Sequence, residues 1–234
     1  MRILDTIINR LRQRDVRQNE TVHEPCVAKD KYSALPPARF LVLADLHRIS
    51  PSEWEMFENA AARGADVLLM LGDISTDDMR RAIHICEGIP ALYVLGNHDR
   101  WEDYKDGIPG AEHLDGKIRE IRGVRIAGLS GAPVYKDPDV WCMRDQEKAA
   151  EVSEGLAQAD VLISHESPYH YIGTRSTHCG YEAISRYIRT FSPSMHIFGH
   201  HHDPHEGWYH GTKEVCVFKC ALIRTDDGTV EQIF

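Results

Sequence analysis

The chain has 234 residues, which suits one α/β domain, and its 42% of hydrophobic residues excludes a wholly disordered protein. The formal net charge of −9 argues against non-specific binding to duplex nucleic acid, because such binding needs a cationic surface. Histidine is abundant, with 14 residues and no run of six. We therefore expect imidazole to bind metal or carry protons rather than to mark a purification tag.

Residues 1–17 predict a short basic amphipathic helix. Its apolar positions repeat with helical spacing and are Leu4, Ile7, Ile8 and Leu11. Five arginines against two aspartates give this segment a net charge of +3, which leaves −12 on the rest of the chain. Such a helix packs on its own domain, lies on an anionic membrane surface or associates with a second copy of the chain.

The main domain is predicted to begin at residue 39. Residues 18–38 are polar and end in a Leu-Pro-Pro sequence, which is typical of a linker. We therefore divide the chain into an N-terminal helix and linker over residues 1–38 and one domain over residues 39–234. The six cysteines form no C-x-x-C pair, and no secretory signal or long apolar stretch is recognisable, so a cytoplasmic location is expected.

The main domain alternates short apolar runs with helical patterns. Runs that are typical of strands buried on both faces lie at residues 40–44, 67–71, 91–95, 124–129, 161–164 and 196–198. Helices are predicted at residues 53–63, 76–87, 144–158 and 180–190, and two further strands at 215–223 and 229–234. Ser52 is the predicted cap of the first helix, with Glu55 at the capping-box position. This alternation predicts a layered α/β domain.

Metal-ligand side chains follow five of the predicted strands, at the ends where α/β folds place their sites. In chain order these candidates are Asp45 and His47, then Asp73, then Asn97, His98 and Asp99, then His165, and finally His200 and His202. One D-x-H sequence alone is weak evidence. Five such elements at five strand ends are not expected by chance, so the set predicts a metal site.

The order of these elements resembles the calcineurin-like metallophosphoesterase superfamily. Its pattern is D-x-H, G-D, G-N-H-D/E, a single His and G-H-x-H, and every element is present between Asp45 and His202. The resemblance implies a four-layer α/β/β/α sandwich of two mixed sheets flanked by helices. It also implies two divalent transition metal ions, drawn from manganese, iron, zinc or cobalt, which are ions that imidazole, amide and carboxylate ligands suit.

The resemblance implies a role for each candidate residue. One ion would be held by Asp45, His47 and His202, the other by Asn97, His165 and His200, and both by Asp73. His98 would donate a proton to the leaving group, and Asp99 would orient it by accepting a hydrogen bond from its ring. His201 lies between two ligands on an extended segment and is expected to point away from the metals.

The resemblance is strongest to the small bacterial-type phosphodiesterases. The D-R-G signature of protein phosphatases is missing after Gly72-Asp73. We expect metal-activated hydroxide to hydrolyse a small, nucleotide-like phosphodiester. A phosphomonoesterase, a lipid-linked pyrophosphatase and a non-catalytic scaffold are the alternatives. The loop over residues 167–176, with a cation and aromatic side chains, is either a substrate-binding segment or a solvated surface loop.

Overall fold

The computed structural model describes residues 35–169 and 179–234. The predicted N-terminal helix over residues 1–17 and most of the loop over residues 167–176 lie outside these ranges. Among the described residues, none of the helices combines the length and apolar character needed to cross a membrane.

Strands and helices alternate through most of the described chain. Its strands are β1 (Arg39–Ala44), β2 (Val67–Met70), β3 (Ala91–Tyr93), β4 (Ala111–His113), β5 (Ile118–Ile121), β6 (Val124–Leu129), β7 (Ala132–Pro133), β8 (Met143–Arg144), β9 (Val161–Ser164), β10 (Met195–Phe198), β11 (His205–Tyr209), β12 (Thr212–Cys216), β13 (Lys219–Arg224) and β14 (Val230–Gln232). Its helices are α1 (Pro51–Ala62), α2 (Thr76–Ile85), α3 (Trp101–Tyr104), α4 (Gln146–Glu154) and α5 (Glu182–Phe191).

Two six-stranded mixed sheets form the centre of the fold. The first has the order β14-β13-β1-β2-β3-β4 and the second the order β11-β12-β10-β9-β6-β5. The crossovers through α1 and α2 make β1, β2 and β3 parallel, and β6, β9 and β10 are parallel in the second sheet. Parallel strands end at the same edge of a sheet, so the loops that follow them gather there.

Three layers of apolar side chains hold the sheets and helices together. Residues such as Val42, Leu69 and Ile163 fill the space between the two sheets. Trp54 of α1 and other side chains of α1 and α2 pack on the outer face of the first sheet. Ile184 of α5 and side chains of α4 pack on the outer face of the second. The predicted four-layer α/β/β/α sandwich is therefore confirmed.

The prediction of one strand over residues 215–223 is wrong. This apolar run contains the end of β12 and most of β13, which belong to different sheets. Lys219 adopts a left-handed conformation with φ 62°, which breaks the extended chain where it passes from one sheet to the other. An uninterrupted apolar run does not reveal this break, because both halves are buried. The edge strands β4, β5 and β11 were not predicted, because their partly or fully exposed side chains interrupt the apolar pattern.

The first helix begins two residues earlier than predicted. Ser50, not Ser52, is the N-cap, and its Oγ accepts a hydrogen bond from the Glu53 N–H at 3.2 Å. The Glu53 carboxylate accepts one from the Ser50 N–H at 2.7 Å and completes the capping box. Pro51 favours this start, because proline suits the first helical position. The other three predicted helices are present with ends that differ by up to four residues.

Two serine substitutions test this helix start. Ser50→Ala should lower the free energy of unfolding by about 1 kcal/mol, because it removes the cap of the Glu53 N–H. Ser52→Ala is the matched control and should change it by less than about 0.5 kcal/mol. Urea unfolding followed by circular dichroism measures both values. A larger loss for Ser52→Ala than for Ser50→Ala would restore the start predicted from the sequence.

Candidate metal centre

All seven predicted metal ligands come together where strands of the two sheets end. Asp45 follows β1, Asp73 and Asn97 lie in the loops after β2 and β3, and His47 lies in the loop after β1. The second sheet supplies His165 after β9 and the loop with His200 and His202 after β10. The site therefore lies at the end of the sandwich where these strands of both sheets terminate.

One group of ligand atoms is open to solvent. The His202 Nε2 atom lies 3.2 Å from the Asp45 Oδ1 atom and 3.2 Å from the His47 Nε2 atom. His47 and His202 are exposed, whereas the Asp45 carboxylate is buried. One carboxylate oxygen and two imidazole nitrogens face one another here, which is an arrangement that suits a divalent cation.

A second group is buried. The His165 Nε2 atom lies 2.8 Å from the Asn97 Oδ1 atom and 3.1 Å from the His200 Nδ1 atom. The Asp73 Oδ2 atom lies 3.7 Å from His165 Nε2 and 4.0 Å from His47 Nε2, so it faces both groups. An oxygen of Asp73, an oxygen of Asp45 and a nitrogen of His165 also lie within 4.8 Å of one another. The donor atoms therefore fit the predicted ligand set.

Each of the two central carboxylates has one oxygen bonded to the backbone. Asp45 Oδ2 accepts a hydrogen bond from the His200 N–H at 2.8 Å, and Asp73 Oδ1 accepts one from the His98 N–H at 2.7 Å. The other oxygens, Asp45 Oδ1 and Asp73 Oδ2, face imidazole nitrogens. The backbone thus fixes each carboxylate and leaves its second oxygen for a cation.

The imidazoles and carboxylates change one another's protonation. Burial raises the pKa of Asp45, but the hydrogen bond with His202 and the nearby His165 outweigh this effect, and the net pKa is lowered. Burial lowers the pKa of His165, but Asp73 and Asp45 outweigh it, and the net pKa is raised. The two carboxylates thus create a strongly negative environment that attracts cations.

Strained backbone surrounds the site. Asp45, Asp73, His200 and His202 all have positive φ, at 56°, 53°, 71° and 54°. Non-glycine residues rarely adopt this conformation, and it persists where the surrounding structure enforces it, commonly at functional sites. Residue 96 must be glycine because two side chains of the site approach its backbone closely. A Cβ atom there would lie 2.2 Å from the Asp73 Oδ1 atom and 2.7 Å from the His165 ring.

His98 lies at the exposed rim of the site. Its ring centroid is 5.4 Å from that of His47 in an edge-on arrangement. Its Nδ1 atom lies 3.4 Å from the Lys136 ammonium. An ammonium only donates hydrogen bonds, so this contact favours the tautomer that carries its proton on Nε2. The predicted proton donor is therefore beside the ligand groups and accessible to a substrate.

The structure corrects the predicted role of Asp99. Its carboxylate is buried and accepts hydrogen bonds from the Gly96 N–H at 2.7 Å, the Asp73 N–H at 3.0 Å and the Tyr104 hydroxyl at 3.0 Å. Among the described residues, no hydrogen bond joins it to the His98 ring. Burial and the neighbouring Asp73 raise the pKa of Asp99 to about 7. Asp99 therefore fixes the loops that carry Asp73 and Asn97 rather than orienting His98.

Sequence reasoning missed one carboxylate beside the ligands. Glu166 is fully buried, and its Oε2 atom lies 3.5 Å from the His200 Nε2 atom, opposite the nitrogen that faces His165. A carboxylate that faces the outer nitrogen of a metal-binding histidine can orient its ring. The only signal in the sequence is its position directly after His165. The His201 Nε2 atom lies 3.9 Å from the Glu166 Oε1 atom.

Sequence reasoning also missed the loop between β7 and β8. The Tyr135 hydroxyl is hydrogen-bonded to the Asn97 side-chain amide, and Lys136 contacts His98. No ligand motif occurs in this loop, and its exposed Val134 and Tyr135 resemble ordinary surface residues. Only the folded chain shows that the loop forms a wall of the site.

The corrected role of Asp99 predicts a loss of stability. Asp99→Ala should lower the free energy of unfolding of the metal-free protein by at least about 2 kcal/mol, because two buried backbone N–H groups lose their acceptor. His98→Ala is the control and should change it by less than about 0.5 kcal/mol, since the ring is exposed. Urea unfolding in the presence of a chelator measures both values. Equal, small effects would contradict the assignment.

Comparisons with known proteins agree with this geometry. The family model for calcineurin-like phosphoesterases matches residues 38–204, a range that includes every predicted ligand. No curated protein matches the sequence of this chain.

Several solved structures have a similar fold. The protein TT1561 of Thermus thermophilus is 14% identical, with a TM-score of 0.62 over 84% of this chain and 99% of that one. The phosphopantetheinyl hydrolase of Mycobacterium tuberculosis is 16% identical, with a TM-score of 0.52 over 79% and 90%. The Plasmodium protein GAP50, an anchor in the inner membrane complex, is 11% identical, with a TM-score of 0.52 over 84% and 83%.

At these identities the similar structures show the fold alone, whereas the family model covers more than half of the chain. Together with the ligand groups at the strand ends of the two sheets, this match shows that the chain belongs to the calcineurin-like phosphoesterase family.

Proposed function

We propose that this protein is a dinuclear metal-dependent phosphodiesterase that hydrolyses a small, nucleotide-like phosphodiester. The position of Asp73 carries the proposal, because its Oδ2 atom lies 3.7 Å from His165 Nε2 of one ligand group and 4.0 Å from His47 Nε2 of the other. A carboxylate oxygen that faces both ligand groups suits a bridge between two cations, whose mutual repulsion it reduces.

The two ions and the protein have separate tasks. When bound, divalent ions of this kind supply a nucleophile from water near neutral pH and polarise the phosphoryl oxygens. Asp45, His47 and His202 would hold one of them, and Asn97, His165 and His200 the other. Asp73 would be shared. Glu166 keeps the His200 ring oriented, and the Asp99 carboxylate keeps the Asp73 and Asn97 loops together.

His98 is the proposed general acid. Its Nδ1 atom faces Lys136, so Nε2 carries the proton that the leaving oxygen takes, and Nδ1 would receive a proton from the Lys136 ammonium at the same time. Its exposure and its contact with His47 of the exposed ligand group support this role. A donor in such a position contributes on the order of 10²–10⁴-fold to the rate.

Enzymatic activity is favoured over a scaffold role because no ligand position has been lost. GAP50 has the same fold and is described as an anchor, so a non-catalytic protein is the second candidate. In this chain all seven ligand positions and His98 carry competent side chains. The sequence pattern supports three further proposals, which are a preference for diesters, manganese as the metal and a cytoplasmic location. A phosphomonoesterase or a lipid-linked pyrophosphatase is the alternative activity.

Partners are proposed on the basis of charge. A net charge of −12 outside residues 1–17 makes duplex nucleic acid a poor ligand for the main domain. The basic N-terminal segment is proposed to associate with a membrane surface or with a second copy of the chain.

A two-substrate assay tests the function. Protein loaded with manganese, nickel or zinc should hydrolyse bis-p-nitrophenyl phosphate faster than p-nitrophenyl phosphate, and a chelator should abolish both activities. Asp73→Asn should remove turnover, because the shared oxygen loses its charge. The release of p-nitrophenol measures each rate.

Each contrary result has its own meaning. A faster rate on the monoester would make the protein a phosphomonoesterase. Hydrolysis of neither ester with any of the three metals would favour the scaffold. Full activity of the Asp73→Asn variant would refute the bridging role of this carboxylate.

A further inference from the structure

We propose that Lys136 recognises negative charge on the leaving group, so that the substrate is a phosphodiester whose leaving group carries an anionic group next to the scissile bond. This inference rests on the proposed function and narrows its substrate class. The simplest such substrate is a diester of diphosphate, in which the scissile bond is a phosphoanhydride and the leaving group is itself a phosphate.

The loop that carries Lys136 is attached directly to the site. The Tyr135 hydroxyl is hydrogen-bonded to the side-chain amide of Asn97, whose Oδ1 atom faces the buried ligand group. The next residue along the chain places its ammonium 3.4 Å from the Nδ1 atom of His98. The loop is thus fixed at one metal ligand and at the proposed general acid.

The Lys136 ammonium is held in place by aromatic rings. It lies 5.0 Å from the ring centroid of Tyr135 and 4.9 Å from that of Trp141. These contacts favour a cation over the ring faces and restrict the side chain. Among the described residues, no carboxylate lies within 4.0 Å of this ammonium. A half-buried cation without a protein carboxylate suits an anion supplied by a ligand.

Its position indicates which part of the substrate it meets. The His98 ring contacts both the Lys136 ammonium and the ring of His47, which belongs to the exposed ligand group. The ammonium is therefore one imidazole away from the ligands and next to the group proposed to protonate the leaving oxygen. Charge on the leaving group would meet Lys136, whereas charge on the scissile phosphoryl group would meet the cations that the ligands hold.

The reaction places charge where the ammonium can attract it. The oxygen of water forms a bond to phosphorus, and the bond from phosphorus to the bridging oxygen breaks with its electron pair going to that oxygen. A phosphate departs as an anion while Lys136 keeps its charge. An alcohol oxygen takes the proton of His98 Nε2 while the Nδ1 atom of the same ring takes a proton from the Lys136 ammonium, so that the ring stays neutral. With an anionic leaving group, the ammonium attracts negative charge throughout this step.

Two dinucleotides that share adenosine ends test the inference. Di(adenosine-5′) diphosphate gives two molecules of AMP and has a phosphate leaving group. Adenylyl-(3′→5′)-adenosine gives AMP and adenosine through an uncharged alcohol leaving group. The measured quantity is the ratio of kcat/KM for the first substrate to kcat/KM for the second, from the AMP and adenosine formed.

The wild-type ratio should exceed about 10, and Lys136→Met should lower it by at least about tenfold, the loss expected for one charge-assisted hydrogen bond. Lys136→Arg should retain most of the ratio, because it keeps the positive charge. Lys148→Met removes an exposed lysine from α4 and is the matched control for net charge, so its ratio should equal that of the wild type.

Two results would overturn the inference while the proposed function stands. In the first, the wild-type enzyme hydrolyses bis-p-nitrophenyl phosphate but either shows no preference for the diphosphate or cleaves neither dinucleotide. The other is a Lys136→Met variant that loses both dinucleotide activities to the same extent or loses neither. An absence of metal-dependent hydrolysis of any ester would instead refute the function and the inference with it.

Discussion

The structure depends on two buried carboxylates that lie close together. The side chains of Asp45 and Asp73 are 0% and 1% exposed, and an oxygen of each lies within 4.8 Å of the other. Two such charges cannot be buried without compensation, and backbone N–H groups satisfy only one oxygen of each. The divalent cations proposed above would supply the missing charge. The left-handed backbone at both residues is the conformational cost of this arrangement.

Packing of the two sheets brings the ligands together. The first sheet supplies both carboxylates and Asn97, and the second supplies His165, His200 and His202. The apolar layer between the sheets, with Val42 and Ile163 among its members, therefore fixes the distances between ligands that come from different sheets. Asp99 and Glu166 add the local restraint, since one bonds the loops of the first sheet and the other faces the His200 ring. The substrate-facing side depends on the loop between β7 and β8, which carries Lys136.

The sequence predicted the fold class and the gathering of seven polar side chains at one place, because both leave a direct mark on residue order. Buried parallel strands read as apolar runs, and their polar ends carry the ligand motifs. The break between β12 and β13 left no mark, since both halves of the run are buried. The predicted role of Asp99 was wrong because the side chains of adjacent residues need not point the same way. The Asp99 carboxylate points inward, whereas the His98 ring points outward. Lys136 was missed because its contact with His98, which is distant in sequence, leaves no mark on residue order.

Anomalous X-ray diffraction from crystals of the manganese-loaded protein tests the central claim most directly. The account predicts two anomalous peaks per chain, about 3.5–4 Å apart, with the Asp73 carboxylate between them. One peak should contact Asp45, His47 and His202, and the other Asn97, His165 and His200. A single peak, or two peaks that do not share Asp73, would contradict it.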